Sequence, residues 1–264
     1  MSLLTLARLA AITGACAAAL PVAGAECRAR SGAERVPVLE LYTSEGCDSC
    51  PPADRWLSGI SAAKLAPGRV VPLAFHVDYW DQLGWPDRYA QARFSERQRE
   101  LARLKKAGFV FTPQILLDGQ DYRRGWVRDD VGAALTSIHR SSPGAELELR
   151  LDAGPDAIAV NATAKLTATP NAKTAQAFLA LTESRLATDV RAGENRGKRL
   201  EHDFVVRELV GPVPFGAEPA LALAYQFRLG ANWKRDQLAV AVFVQDRATG
   251  ATLQALAAAT AGCR

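Results

Sequence analysis

Between Val36 and Ile138 the chain alternates short apolar runs of β-forming residues with stretches whose apolar side chains recur at helical spacing. Val36 to Thr43 (VPVLELYT) predicts a strand that stops at Ser44-Glu45-Gly46. Ala53, Trp56, Leu57 and Ile60 then repeat at intervals that predict a helix. Pro51 and Pro52 fit its opening turn, because the first amides of a helix have no intrahelical acceptor. Val70 to Asp78 (VVPLAFHVD) predicts a second strand, so the order is a βαβ unit with parallel strands ending on the same sheet edge. Phe94, Leu101 and Leu104 mark a further helix between Pro86 and Gly108, with Arg97, Arg99, Arg103, Lys105 and Lys106 read as its solvated basic face. Asp118-Gly119 separates Gln114–Leu117 from Tyr122–Trp126 and predicts a hairpin. Val127, Val131, Ala134, Leu135 and Ile138 predict a closing helix.

From Ser141-Ser142-Pro143-Gly144 onward the period changes. Leu147, Leu149 and Leu151 alternate with charged residues, and Leu223, Tyr225, Phe227 and Leu229 alternate with polar or small ones. Further strands are predicted at 158–166, 177–181, 204–209 and 238–244, separated by Gly, Pro and Asn turns, as in a β-sandwich. The glycine-rich basic stretch DVRAGENRGKR, from Asp189 to Arg199, lacks the strand-to-helix setting of a phosphate loop and reads as a surface loop that contacts the first half.

The first 25 residues change the picture of location. Arg8 precedes an alanine-rich apolar run that ends at Ala23-Gly24-Ala25, which suits signal peptidase; a lipid anchor at Cys16 is the minor alternative, since Thr13-Gly14-Ala15 lacks the usual leucine. After Ala25 nothing approaches the uninterrupted apolar span of about 20 residues that a transmembrane helix requires. The expected location is therefore periplasmic or secreted, with no membrane span in the mature chain. Lys and Arg total 32 against 28 for Asp and Glu, and no basic run is interleaved with aromatics, which argues against nucleic acid as a partner.

Four cysteines remain once the signal is removed: Cys27, Cys47, Cys50 and Cys263. Cys47-x-x-Cys50 is local, whereas Cys27 and Cys263 lie at the two ends of the mature chain, where termini are often close. We therefore expect a Cys27–Cys263 structural disulfide, the alternative being two unpaired ends. Cys47-Asp48-Ser49-Cys50 itself admits three readings, a redox pair, a structural staple or a metal clip. A zinc site needs two more ligands at compatible spacing, and His76, His139 and His202 form no recognisable second half.

The strings LELYTSEGCDSCPPAD, AFHVDYWDQLGWPD and FTPQILLDG, between Leu39 and Gly119, resemble the exported bacterial thioredoxin-like family catalogued as domain of unknown function 1223; GENRGKRLEHDFVVREL extends the resemblance weakly. The resemblance implies an α/β thioredoxin-like domain over residues 26–142, with an insertion near 79–107, to which the strand pattern adds an all-β, β-sandwich-like domain over 143–264. It also implies that Pro113, after Thr112, is cis and shapes a groove beside the cysteines. It supplies no substrate and no cofactor.

On this reading Cys47 attacks and Cys50 resolves a mixed disulfide in exchange with exported protein thiols or disulfides, or with a redox partner protein. The helix N-terminus lowers the pKa of Cys47, while Asp48 disfavours a second negative charge, which predicts a pair less oxidising than one with a basic or neutral spacer. Glu40 is a candidate proton acceptor for Cys50 if the turn carries a bulge, and a structural carboxylate otherwise. His76 and Asp78 share a strand face, fit for a proton relay or a metal, or for a plain structural role; Trp80 and Trp85 wall the groove or fill the core. The two alternatives to exchange are a binding or assembly module stapled by Cys47–Cys50, and a metal carrier using Cys47, Cys50 and His76.

Overall fold

Most of the strands that the periodicity marks are present, and their partners are what it does not reveal. A computed structural model of the chain describes residues 26–62, 65, 68–123, 128, 130–167 and 172–262. The expected signal peptide over 1–25, together with Trp126, Val127 and Cys263, lies outside the described residues.

The front half contains β1 (Glu26–Arg30), β2 (Val38–Thr43), α1 (Pro51–Ala62), β3 (Val71–His76), α2 (Ala92–Leu104), β4 (Gln114–Leu117), β5 (Gln120–Asp121) and α3 (Val131–His139). The back half contains β6 (Ala145–Ala153), β7 (Ala157–Leu166), β8 (Ala175–Glu183), β9 (Leu186–Asp189), β10 (Arg199–His202), β11 (Val205–Pro214), β12 (Ala220–Arg228), β13 (Leu238–Asp246) and β14 (Thr252–Ala259). β2 and β3 are parallel, in register from Val38 opposite Val71 to Thr43 opposite His76, and β4 adds to β2 antiparallel. The hairpin turn falls at Asp118-Gly119, both left-handed at φ 55° and 70°, as an Asp-Gly turn requires. A Cβ on Gly119 would lie 2.2 Å from the Gly250 carbonyl oxygen, so no side chain fits there.

The expectation of an α/β thioredoxin-like domain followed by a separate all-β domain is overturned. The described residues are mainly strand. β2, β3, β4 and β5 do not form a sheet of their own but make up one half of an eight-stranded sheet ordered β14-β13-β8-β11-β3-β2-β4-β5. β3 accepts β11 as a parallel neighbour at Val205 opposite Ala74, and the Ala74 N–H donates to the Phe204 carbonyl at 2.9 Å. The physical reason for the misreading is that periodicity identifies a strand and its buried face, whereas the identity of its neighbour depends on contacts far away in sequence.

Three layers result. On one face of the large sheet α2 covers Tyr42, Phe75, Phe178 and Phe243 through Phe94. On the other face α1 and α3 cover Leu39, Leu41 and Ile115 at one end. At the other end a four-stranded sheet, β1-β6-β7-β12, buries Leu147, Leu149, Leu151 and Phe227 against Leu179, Leu181, Val240 and Val242. Each such side chain taken fully from water contributes roughly 1.5–3 kcal/mol. Along β2, residues 38, 40 and 42 therefore face α2 while 39, 41 and 43 face α1, and this alternation decides what can reach the cysteines.

Candidate functional site

The turn after β2 carries the cysteines. Cys47 N–H donates to the Ser44 carbonyl at 3.1 Å, and the Cys50 carbonyl accepts from Ala53 and Asp54, which makes Cys50 the residue that opens α1. Cys47 and Cys50 are joined in a disulfide with their Cα atoms 5.4 Å apart, and neither is exposed to solvent. Ser49 Oγ lies 3.4 Å from Cys47 Sγ.

The buried surroundings are ionic. Glu45, two residues before Cys47, accepts a hydrogen bond from Trp85 Nε1 at 2.8 Å on one oxygen and sets the other 3.3 Å from His202 Nε2. Asp54, in the first turn of α1, accepts from Thr43 Oγ1 at 3.1 Å and lies 3.8 Å from His202 Nδ1. Those two separations are long for hydrogen bonds, so His202 is held by ionic attraction. Burial opposes charge on His202, but the Asp54 and Glu45 carboxylates outweigh it and raise its pKa to about 10. The His76 ring stands edge-on to His202 at 4.9 Å and bonds Asp87 through Nδ1 at 2.6 Å. Asp87 also accepts from the Glu45 and Tyr89 N–H groups. Burial pushes the Asp87 carboxyl up, yet His76 and these N–H groups bring it below the ordinary carboxylate range.

The loop between β9 and β10 closes over the turn. Asn195, wholly buried, donates through Nδ2 to the Glu45 carbonyl at 2.9 Å and the Cys47 carbonyl at 2.8 Å. Glu194 accepts from the Asp48 N–H at 3.2 Å, and Gly193 packs so closely on Trp85 that a Cβ would sit 3.2 Å from the Trp85 Cβ. The stretch from Asp189 to Arg199 thus contacts the first half at the cysteines themselves. If this loop is what shields the disulfide, loosening it accelerates reduction. Two hydrogen bonds at about 1 kcal/mol each correspond to roughly 30-fold in the opening equilibrium. Asn195→Leu is expected to raise the rate of disulfide reduction by a small dithiol by about 10–30-fold. Alkylation of released thiols over time measures this, and an unchanged rate would show that the loop is not the barrier.

The other residues singled out by sequence are placed as follows. Thr112 and Pro113 are half-buried and joined by a cis peptide, and Thr112 Oγ1 accepts from Trp80 Nε1 at 2.8 Å. Trp80 also backs Gly46, whose Cβ would meet the Trp80 Cβ at 3.2 Å. Asp48 is exposed and Asp78 is bonded to Ser95 Oγ, away from His76. Glu40 faces α2, where Arg97 Nε and Nη2 donate to its two oxygens at 2.9 and 2.8 Å. Arg97 is therefore buried and does not belong to a solvated basic face. Cys27 lies in β1 opposite Leu151, and its expected partner Cys263 falls outside the described residues. Among the described residues, no group of three His, Cys, Asp or Glu side chains converges as a metal ligand set, and no helix is long and apolar enough to cross a membrane.

Sequence reasoning passed over Glu45, Asp54, Asp87 and Asn195. The available signal was the string GENRGKRLEHDF, which brings Glu194, Asn195 and His202 together within nine residues. Among solved structures, protein AGR_C_4864 from Agrobacterium tumefaciens is similar with a TM-score of 0.59 and 24% identity, over 88% of this chain and 98% of that one. HBP35 of Porphyromonas gingivalis is similar with a TM-score of 0.65 and 15% identity, over 87% of this chain and 76% of that one. Both are likenesses of fold alone. No curated protein matches the chain. A family model matches residues 38–245, a span that includes both the cysteine turn and the loop that closes over it. The chain therefore belongs to the family described as protein of unknown function (DUF1223).

Proposed function

We propose that the protein performs thiol–disulfide exchange through Cys47 and Cys50. The observation that carries this reading is a set of buried ionisable side chains joined to the segment that carries the disulfide: Glu45 and Asp54 on either side of the cysteines, and through them His202, Asp87 and His76. Burying charge costs several kcal/mol per group unless it is paired, and a passive staple has no use for it; His202 and Asp87 are held away from their ordinary pKa values, and perturbed groups in a buried cluster are a mark of chemistry. In the reduced protein the Cys47 thiolate attacks a substrate disulfide and expels one substrate thiolate. The Cys50 sulfur, giving up its proton, then attacks Cys47 and releases the second. Two electrons pass from the dithiol to the substrate, and Cys47–Cys50 is restored. Pro113 borders the approach, and the back-half strands set partner choice. The N-terminal leader supports action on exported protein thiols or disulfides in the periplasm or outside the cell.

The burial of both sulfurs favours a second reading, a permanent staple in a binding or assembly module. One experiment separates the two. The protein without its first 25 residues is reduced, and a Cys50→Ser variant is incubated with a disulfide-bearing protein extract of the producing cell envelope. Exchange predicts mixed disulfides at Cys47 that a Cys47→Ser/Cys50→Ser variant does not form. A wild-type pair that resists a dithiol until the protein unfolds would establish the staple instead.

A further inference from the structure

A second site lies where the connector from β12 to β13 folds back on the large sheet. A cavity of about 340 Å³, at the small end of the range for ligand pockets, is lined by Arg88, Tyr89, Glu183, Leu186, Arg207 and Trp233, among others. Trp233 is turned into this wall by Gly230, where a Cβ would stand 2.5 Å from the indole nitrogen, so only glycine lets the ring lie there. The Arg207 guanidinium lies over two aromatic rings, its Cζ 4.5 Å from the Trp233 centroid and 5.2 Å from that of Tyr89.

The polar chemistry of the pocket is incomplete. Glu183 is 1% exposed; one of its oxygens accepts from the Lys234 N–H at 2.7 Å. The other, Oε2, has no hydrogen-bond partner among the described residues, although a buried carboxylate oxygen ordinarily has one. Its nearest cation is Arg207 Nη1 at 3.7 Å, an ion-pair distance and not a hydrogen bond. A buried acceptor without a hydrogen-bond partner thus stands beside a guanidinium that is partly exposed. A ligand that answers both must carry a cationic N–H group and an anionic oxygen a few ångströms apart on one side. A peptide bond does not, because its N–H and C=O point in opposite directions. The α-ammonium and α-carboxylate of a free amino acid do.

We propose that this pocket binds a free α-amino acid. Glu183 Oε2 accepts from the ammonium group, Arg207 donates to the carboxylate with Arg88 at the rim, and the ligand side chain lies along Trp233 and Leu186. The site is independent of the cysteine chemistry, although Tyr89 links them physically by touching His76 and His202 at 5.2 and 5.8 Å between ring centroids.

Isothermal titration of the protein with each standard amino acid, and with the N-acetyl and methyl ester forms of those that bind, tests the proposal. At least one free amino acid should bind with a dissociation constant between about 1 µM and 1 mM, and both blocked forms should bind at least 10-fold more weakly. Glu183→Gln and Arg207→Gln should each weaken binding by at least 10-fold, with unchanged circular dichroism. If either variant fails to fold, the blocked ligands on the wild-type protein decide alone. Absence of binding by every free amino acid, or equal affinity for a free and a blocked form, would overturn the assignment.

Discussion

Arg97→Leu is expected to lower the unfolding free energy by about 3–5 kcal/mol, the usual consequence of stripping one partner from a buried ion pair. Arg97 forms a fork on both oxygens of Glu40, donates through Nη2 to Gln245 Oε1 at 2.7 Å, and lies with its Cζ 4.9 Å from the Phe178 ring centroid. Glu40 is 1% exposed and also accepts from the Tyr42 hydroxyl at 2.7 Å. Leucine replaces much of the volume but leaves the carboxylate buried and charged without its cation, or forces it to take up a proton. Urea unfolding measures the loss. The Glu40→Leu/Arg97→Leu pair should recover a large part of it, because removing both charges also removes the cost of desolvating them. A single variant as stable as the wild type would show that the pair is energetically idle.

His202 gives stability a pH dependence of similar size. Its pKa is raised to about 10 in the folded protein from 6.5 in the unfolded chain. The folded state therefore binds the proton more tightly, and the contribution is complete below about pH 6.5 and disappears as pH rises through about 10. At about 1.4 kcal/mol per pKa unit the contribution is on the order of 3–5 kcal/mol. Asp87, lowered in the folded state, acts in the opposite sense, and its contribution disappears as pH falls below the ordinary carboxylate range. Urea midpoints between about pH 6 and pH 10 should fall for the wild type, and the difference from His202→Gln isolates the histidine from other groups that titrate there. Parallel curves for the two proteins would remove His202 from the account.

Much of the local structure was legible. The β2 and β3 runs, their parallel order, the Asp118-Gly119 turn and the alternation of Leu147, Leu149 and Leu151 all follow from side-chain period and turn chemistry. The pairing of β3 with β11 was not, and with it went the expected division into an α/β and an all-β domain. Strand neighbours separated by most of a domain leave no mark in either strand's own pattern. Arg97 was misplaced for a related reason: a charged residue on a helix looks solvated unless its partner is known, and Glu40 is 57 positions away. At the site, Cys47 and Cys50 were legible as a local pair. Their buried neighbours were not, because Asn195 reaches them through two backbone carbonyls that any sequence would present.

The join between β3 and β11 also has a meaning in time. About 130 residues separate Ala74 from Val205. At roughly 5–20 residues per second of synthesis, β3 waits on the order of ten seconds for its neighbour to leave the ribosome. Throughout that interval its outer edge is an open template for strands of other chains. The Ala74 N–H points to that edge, and by the two-residue alternation of a strand so would the N–H of residue 72, which is proline and has none. Pro72 therefore leaves a gap in the row of donors on an edge that stays bare until β11 arrives. A residue that can donate no ladder hydrogen bond thus protects the chain while the sheet is still unfinished.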